Sequence, residues 1–221
     1  MKNETAKNCV ETSHLQILDC GTGEYRKILQ LQRELVEKRR NNEIANTVII
    51  VEHTAVITLG ARQSANKLLV SAEELVQRNI DVVDIRRGGG TTAHNPGQLV
   101  FYPILDLTQM SLGISEYIRQ LESIGKELLE QSGLECAAKK GYPGLWVGDK
   151  KIASIGVRVS RFITYHGMAI NINNDLTIFD YVTPCGLDNI QMTSLLKETG
   201  KEHSMSLIKG QLAQILVRYF S

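Results

Sequence analysis

Two side chains of this sequence could do covalent chemistry at a carbonyl: the thiol in Thr183-Pro184-Cys185-Gly186-Leu187 and the amine that opens Lys151-Ile152-Ala153-Ser154-Ile155-Gly156. Proline before and glycine after Cys185 put the thiol on a bent, non-repetitive segment, a poor place for a core side chain. Two readings stand side by side: a small buried hydrophobe, which is also the reading for Cys9, Cys20 and Cys136, and a reactive thiol. A free thiol with pKa ~8.5 is only ~3% thiolate at pH 7, and lowering it to ~7 takes about 2 kcal/mol from a neighbour. A lysine ammonium or a histidine can supply that. Lys151 begins a strand of small residues where a ligand or another backbone can come close; a solvated hairpin lysine is the alternative, and Lys150 fits it better. His94 and His166 lie beside glycine-containing loops, where a hydrogen-bonded structural histidine is the plain reading. No Gly-x-Ser-x-Gly run occurs, so a serine nucleophile elbow is not indicated.

The densest signal is Arg87-Gly88-Gly89-Gly90-Thr91-Thr92-Ala93-His94-Asn95-Pro96-Gly97-Gln98, with four glycines, one proline and two hydroxyls in twelve residues. Such a run predicts a loop whose backbone must approach something closely. Ile80 to Ile85 before it and Leu99 to Leu105 after it both read as strand. A phosphate or dinucleotide loop should lead into a helix, and its glycines should be spaced rather than contiguous. The run therefore reads as a substrate-cradling loop within a sheet, with a glycine-rich surface hairpin as the alternative.

The elements that must hold these residues follow from periodicity. Glu24 to about Arg40 reads as an amphipathic helix closed by Lys38-Arg39-Arg40. Asn46 to Val51 is an apolar, β-branched run that predicts a strand buried on both faces, and Ala55 to Gly60 another. Ser71 with Glu74 forms a capping box before a short helix ending near Asn79. Ser115 caps a long helix carrying Ile118, Leu121, Ile124 and Leu128 on one face. Leu145 to Val157 reads as a hairpin turning at Gly148-Asp149, Ile163 to Ile172 as a strand, and Ser204 opens a last helix with Leu207, Ile208, Leu212, Ile215, Leu216 and Tyr219 inward. Strands joined by short loops with occasional helices predict an α+β fold with a mixed, largely antiparallel sheet flanked by helices. We read residues 1–221 as a single catalytic domain, with 1–14 loosely ordered.

Composition sets the outer limits. At 221 residues with 43% hydrophobic content the chain can bury a sizeable core, and 25 basic against 24 acidic residues exclude a broadly polybasic nucleic-acid binder. No apolar run nears the ~20 residues of a membrane span. The polar start, Met1 to Asn8, lacks a signal or transit pattern, so a cytoplasmic protein with reduced cysteines is expected. The cysteines show no C-x-x-C pairing and the histidines are scattered singly, so no metal is expected.

Three blocks resemble the lipoyl(octanoyl) transferases of lipoate biosynthesis, within the biotin/lipoate protein ligase superfamily. They are Arg87-Gly88-Gly89 with Thr92, His94, Pro96-Gly97-Gln98 and Tyr102-Pro103; Lys151 to Arg158 with His166-Gly167-Met168-Ala169 and Asn171; and Pro184-Cys185-Gly186 with Met192-Thr193-Ser194-Leu195. Glu52-His53 with Thr58-Leu59-Gly60 is a weaker echo. The chain departs from that family at Ala93 and Asn95, where an aromatic residue and a glycine are usual. The resemblance implies a biotin/lipoate protein ligase-like fold and octanoyl transfer from octanoyl-acyl carrier protein to a lysine of lipoyl domains, in 2-oxoacid dehydrogenase E2 subunits and the glycine cleavage H protein. It implies Cys185 as acyl-accepting nucleophile and Lys151 as its proton partner. It also implies substrate contacts from Arg87-Gly88-Gly89-Gly90-Thr91-Thr92-Ala93-His94, Ser154-Ile155-Gly156 and Gly167-Met168-Ala169. No cofactor, metal, nucleic acid or membrane is implied. The competing readings are an ATP-dependent lipoate–protein ligase, which needs no nucleophilic cysteine, an amidotransferase between lipoyl domains, and a non-catalytic module that binds acyl carrier protein. Arg62, Arg86, Lys150, Arg158 and Arg161 lie near the blocks in sequence and predict a positive docking face.

Overall fold

The computed structural model describes residues 8–11 as backbone, and residues 14–183 and 190–221 in full. Cys185 lies outside the described residues. One sheet has eight strands, in spatial order β1 (Asn8–Glu11), β2 (Leu15–Gly23), β3 (Asn46–His53), β7 (Gln98–Ile104), β11 (Ile163–Asn171), β10 (Lys150–Ser160), β9 (Tyr142–Val147) and β8 (Ala137–Lys139). All neighbours run antiparallel except β2 and β3. A second sheet of three strands has the order β5 (Asp81–Asp84), β4 (Val56–Leu59), β6 (Thr92–His94). The fold is α+β with a mixed, largely antiparallel sheet, as the pattern of elements predicts.

The middle of the large sheet is apolar on both faces, which explains the continuous β-branched runs. Val48 and Ile50 of β3, with Leu99 and Phe101 of β7, join the core formed with α3 (Ile114–Gln131) and α4 (Met205–Phe220). Ile49 and Val51, with Val100, Tyr102 and Ile104, face α1 (Tyr25–Arg40), which buries Ile28, Leu31, Leu35 and Val36 against them. Each fully buried aliphatic or aromatic side chain contributes about 1.5–3 kcal/mol. The small sheet has its own cover from Leu75 of α2 (Ala72–Gln77) and from Ile178, Phe179 and Val182.

Several local expectations change. Thr92–His94, inside the run read as loop, is an edge strand pairing with Val56–Thr58 of β4. Asn8–Glu11, within the stretch read as loosely ordered, pairs with Gln16–Asp19. Ser71 accepts from the Glu74 amide as a cap should, yet the Glu74 carboxylate turns to Arg78 instead of reaching back. The long helix starts two residues earlier than a Ser115 cap would set, so Gly113 occupies the cap position rather than Ser115, and Tyr117 takes the fully buried place expected of Ile118. The last helix buries Ile208, Leu212, Ile215 and Leu216 as expected, but Leu207 is 70% exposed and Phe220 is buried where Tyr219 was expected. The hairpin turn at Gly148-Asp149 and the Ser204 cap stand as expected.

Candidate active site

Where the two sheets meet on the α1 side, a cleft of about 460 Å³, mouth included, is left unfilled. Its walls are the loop Arg87–Gly90 with Thr92 and His94, the backbone of Ser154–Gly156 on β10, and Gly167–Ala169 on β11. These strand pieces are adjacent by register: Ser154 pairs with Ala169, Ala169 with Val100, and Gly156 with Gly167. So the residues expected to touch substrate come together, with two exceptions. Thr91 turns away, its hydroxyl accepting the Lys67 amide, and Ala93 is buried with Ile57 and Ile178 under the small sheet. Tyr25, Val100, Tyr102 and His166 complete the lining. Tyr25 could not be found from local sequence, because it opens an ordinary amphipathic helix.

The glycines of this wall, and Gly60 behind the loop, are needed first by the chain itself. A Cβ at Gly60 would lie 2.2 Å from the Gly89 carbonyl oxygen, at Gly90 2.4 Å from that of Ala65, and at Gly167 2.1 Å from that of Phe101. Real Cβ atoms do not approach backbone so closely, so these positions admit glycine alone. The close approach read from the sequence is there, but it is chain against chain as well as chain against ligand. Backbone bonds from Gly88 to the Val157 carbonyl and from Ala61 to the Arg87 carbonyl fasten the loop to both sheets.

The end of the cleft near the loop is polar but neutral, apart from one guanidinium. Arg87, 7% exposed, donates from Nε and Nη2 to Thr58 and from Nη1 to the Gly88 carbonyl. His94 bonds Gln98 through Nδ1 at 2.7 Å, and His53 bonds the Tyr102 hydroxyl through Nε2 at 2.7 Å. Burial pushes His53 down to about 4; burial, then the nearby His53, pushes His94 down to about 3. Burial, then Arg87, pushes His166 down to about 3. Burial thus favours the neutral ring in all three; His53 and His94 are hydrogen-bonded as structural histidines are, whereas His166 Nδ1 is buried without a hydrogen-bond partner.

Lys151 lies on β10, three residues before the cleft-lining Ser154, and does not itself line the cleft. It is 2% exposed, not the solvated hairpin lysine that was the alternative. Its ammonium donates to the Pro143 carbonyl at 3.0 Å and sits 5.0 Å over the Trp146 ring. A register shift between Lys151 and Ala153 lets Ile152 and Ala153 both enter the core, and this returns Lys151 to the side of Ser154. Lys150 pairs with Glu198 at the surface. The stretch after the segment that carries Cys185 docks on this same lysine: the Lys151 amide donates to the Gln191 carbonyl, and the Thr193 amide to the Lys151 carbonyl. The Asn171 side-chain amide donates to the Thr193 carbonyl and accepts from Gln98, so two side chains and a backbone carbonyl join three separated stretches there.

Burial raises Cys20 and Cys136 to about 11, the behaviour of small core side chains and not of nucleophiles. Among the described residues, no group of His, Cys, Asp and Glu is placed to hold a metal ion.

With this geometry in hand, relatives can be weighed. The lipoyl protein ligase A/B catalytic domain matches residues 24–217. The chain belongs to that family. An octanoyltransferase of Porphyromonas gingivalis is 38% identical over 222 residues, covering 96% of this chain and 45% of that protein. This chain thus spans less than half the length of that relative. An octanoyltransferase of Dictyoglomus turgidum is 40% identical over 196 residues, covering 89% of this chain and 83% of that protein. Among solved structures, lipoate-protein ligase A bound with ATP superposes with a TM-score of 0.72 at 16% identity, over 94% of this chain and 85% of that one. That likeness shows the fold; the sequence relatives are transferases by name.

Proposed function

We propose that this family member carries an octanoyl group in the cleft and passes it, through Cys185, from octanoyl-acyl carrier protein to a lysine amine of a lipoyl domain. The activity is octanoyl transfer in protein lipoylation. The observation that carries the residue assignment is the burial of Lys151 at the start of the strand whose next residues line the cleft, joined to the stretch that follows Cys185. The Cys185 thiolate attacks the carrier thioester, the carbon–sulfur bond to the carrier breaks, and the leaving sulfur takes the Lys151 proton. The acceptor amine then attacks the acyl-enzyme. As the carbon–nitrogen bond forms and the Cys185–acyl bond breaks, the amine's proton passes to Lys151 and the thiolate returns.

The apolar backbone walls at Ser154–Gly156 and Gly167–Ala169 suit an aliphatic chain. An ATP-dependent ligase would activate the acid without a cysteine, and the curated relatives do not carry that name. The acceptors are lipoyl domains of 2-oxoacid dehydrogenase E2 subunits and the glycine cleavage H protein, and the setting is the cytoplasm; among the described residues no helix is long and apolar enough to cross a membrane. Incubating the protein with octanoyl-acyl carrier protein and no ATP, then weighing it intact, tests the reading. The mass should rise by one octanoyl group in the wild type and stay unchanged in Cys185→Ser. Acylation of the variant at the wild-type rate removes Cys185 as nucleophile, and a wild type that needs ATP makes the chain a ligase.

A further inference from the structure

Trp146 is the only tryptophan of the chain, and both strands that flank it bring an ammonium to its ring. β9, which carries it, lies between β8 and β10. Lys151 of β10 pairs directly with Trp146, and its Nζ lies 5.0 Å from the ring centroid. From β8, Lys139 places its Nζ 4.7 Å from the same centroid. The ring itself is fixed. It is buried, its Nε1 donates to the Tyr142 carbonyl at 3.3 Å, and the Tyr142 ring meets it edge-on. The two ammoniums differ in what else they touch. Lys151 is buried and donates to the Pro143 carbonyl. Lys139 is partly exposed and pairs at 2.8 Å with the Asp149 carboxylate, which is fully exposed.

We propose that Trp146 is a positioning residue for Lys151: its ring holds the ammonium, and Lys139, drawing on the same ring, sets how strongly. This rests on the octanoyl-transfer reading above, which makes the Lys151 proton part of the reaction. An aromatic face attracts a cation through its quadrupole and has no such pull on a neutral amine. The ring therefore favours the protonated lysine when the thiolate attacks. Unlike a carboxylate, it offers no oxygen that could take the proton in place of the leaving sulfur. A second cation on the ring draws on the same π-electrons and repels the first, so Lys139 opposes what Trp146 contributes. Charged groups also reach this region from α3, where the Glu122 carboxylate accepts the Gly144 amide, and from Glu198, which pairs with Lys150 and accepts from the Thr193 hydroxyl. Those groups stay unchanged in every variant below, so their pull cancels in the differences.

The test follows two readouts against pH in the full chain: kcat/KM for octanoyl-acyl carrier protein, and the fluorescence of the lone tryptophan, which needs no turnover. In Trp146→Leu the alkaline fall of kcat/KM should come about one pH unit earlier, the worth of a desolvated cation–π contact. Trp146→Phe, a weaker face, should move it the same way by less. Lys139→Met should move it the other way, by about half a unit. A merely structural role would not give opposite signs. The Lys139 shift should also vanish in the Trp146→Leu background, because the ring carries it; a shift undiminished there is direct charge repulsion and overturns the ring as the link. Fluorescence is read in Lys139→Met, so that Lys139 does not contribute. Its emission should step across the pH range of the alkaline fall, and adding Lys151→Met should remove the step. Should Trp146→Leu fail to fold, Trp146→Phe and Lys139→Met decide. An alkaline fall unmoved in both, or a step that survives Lys151→Met, overturns the proposal while leaving octanoyl transfer in place. A wild type that accepts no octanoyl group, yet whose step depends on Lys151, removes the transfer reading and keeps the ring's hold on the lysine.

Discussion

Two buried cations lie against β10, one at its start and one beside its middle, and they are held differently. At the start the Lys151 ammonium donates to the Pro143 carbonyl and lies over the Trp146 ring. Beside Gly156 the Arg87 guanidinium is fastened through Nε, Nη1 and Nη2 in a planar fork. A guanidinium does not give up a proton near neutral pH, whereas a lysine ammonium can. So a fold that buries two positive groups along one strand can use one as a wall and the other as a proton carrier. The difference lies in the side-chain chemistry, since both sites exclude water to a similar degree.

The sharpest way to break that contrast is to make the two sites alike. On the proposed mechanism, Lys151→Arg should keep a positive charge for the thiolate yet lower turnover about 10²–10⁴-fold, the range a positioned acid–base group supplies. Lys151→Ala should lose turnover and also raise the pH at which Cys185 alkylates. Three overlapping alkylation curves for wild type and the two variants would show that Lys151 does not serve the thiol.

The Arg87 side makes a prediction about pH. His53, His94 and His166 are held at about 4, 3 and 3 in the fold, while unfolded histidine titrates near ~6.5. The unfolded chain therefore binds more protons below ~6.5. Stability from these groups is full above that value and falls as pH drops toward 4 and 3, by up to about 1.4 kcal/mol per pH unit per histidine. Urea midpoints that stay level between about pH 7 and pH 5 would contradict neutral burial of the three rings.

The smallest effect concerns the surface. Arg86 and Arg158 join Arg33 around a second cleft, while Lys150 is paired with Glu198, and Arg62 and Arg161 line neither cleft. The positive docking face expected from the sequence is thus narrower than the residues near the motifs suggested. For an acidic carrier, kcat/KM should fall only a few-fold from low to high salt, and replacing Arg86 and Arg158 together should flatten that slope. An unaltered slope in the double variant places docking elsewhere.

What could be read in advance, and what could not, has a physical pattern. β3 and β7 were legible because strands apolar on both faces leave continuous runs of Val, Ile and Phe. The glycine run announced close approach, and the structure supplies it. The burial of Lys151 was hidden, because a hairpin lysine is solvated unless another segment covers it, and that cover comes from the hairpin's own Trp146 and Pro143 carbonyl together with residues 191–193. Arg87's clamp depends on Thr58, 29 positions earlier, a distance over which local pattern carries no information. β1 and β8 are too short and too polar to show a period. Cys185 was singled out by its Pro-Gly setting and lies outside the described residues.

One consequence follows from the Cβ positions at Gly60, Gly90 and Gly167. Their side chains are forbidden by carbonyl oxygens of the same chain, with no reference to any acyl group. A descendant of this protein that had lost its catalysis would therefore still inherit those glycines, since replacing them would cost it the fold. Those glycines, then, are a record of ancestry, while Cys185 and Lys151, in the roles proposed for them, are the places where a lapse of activity could first be written.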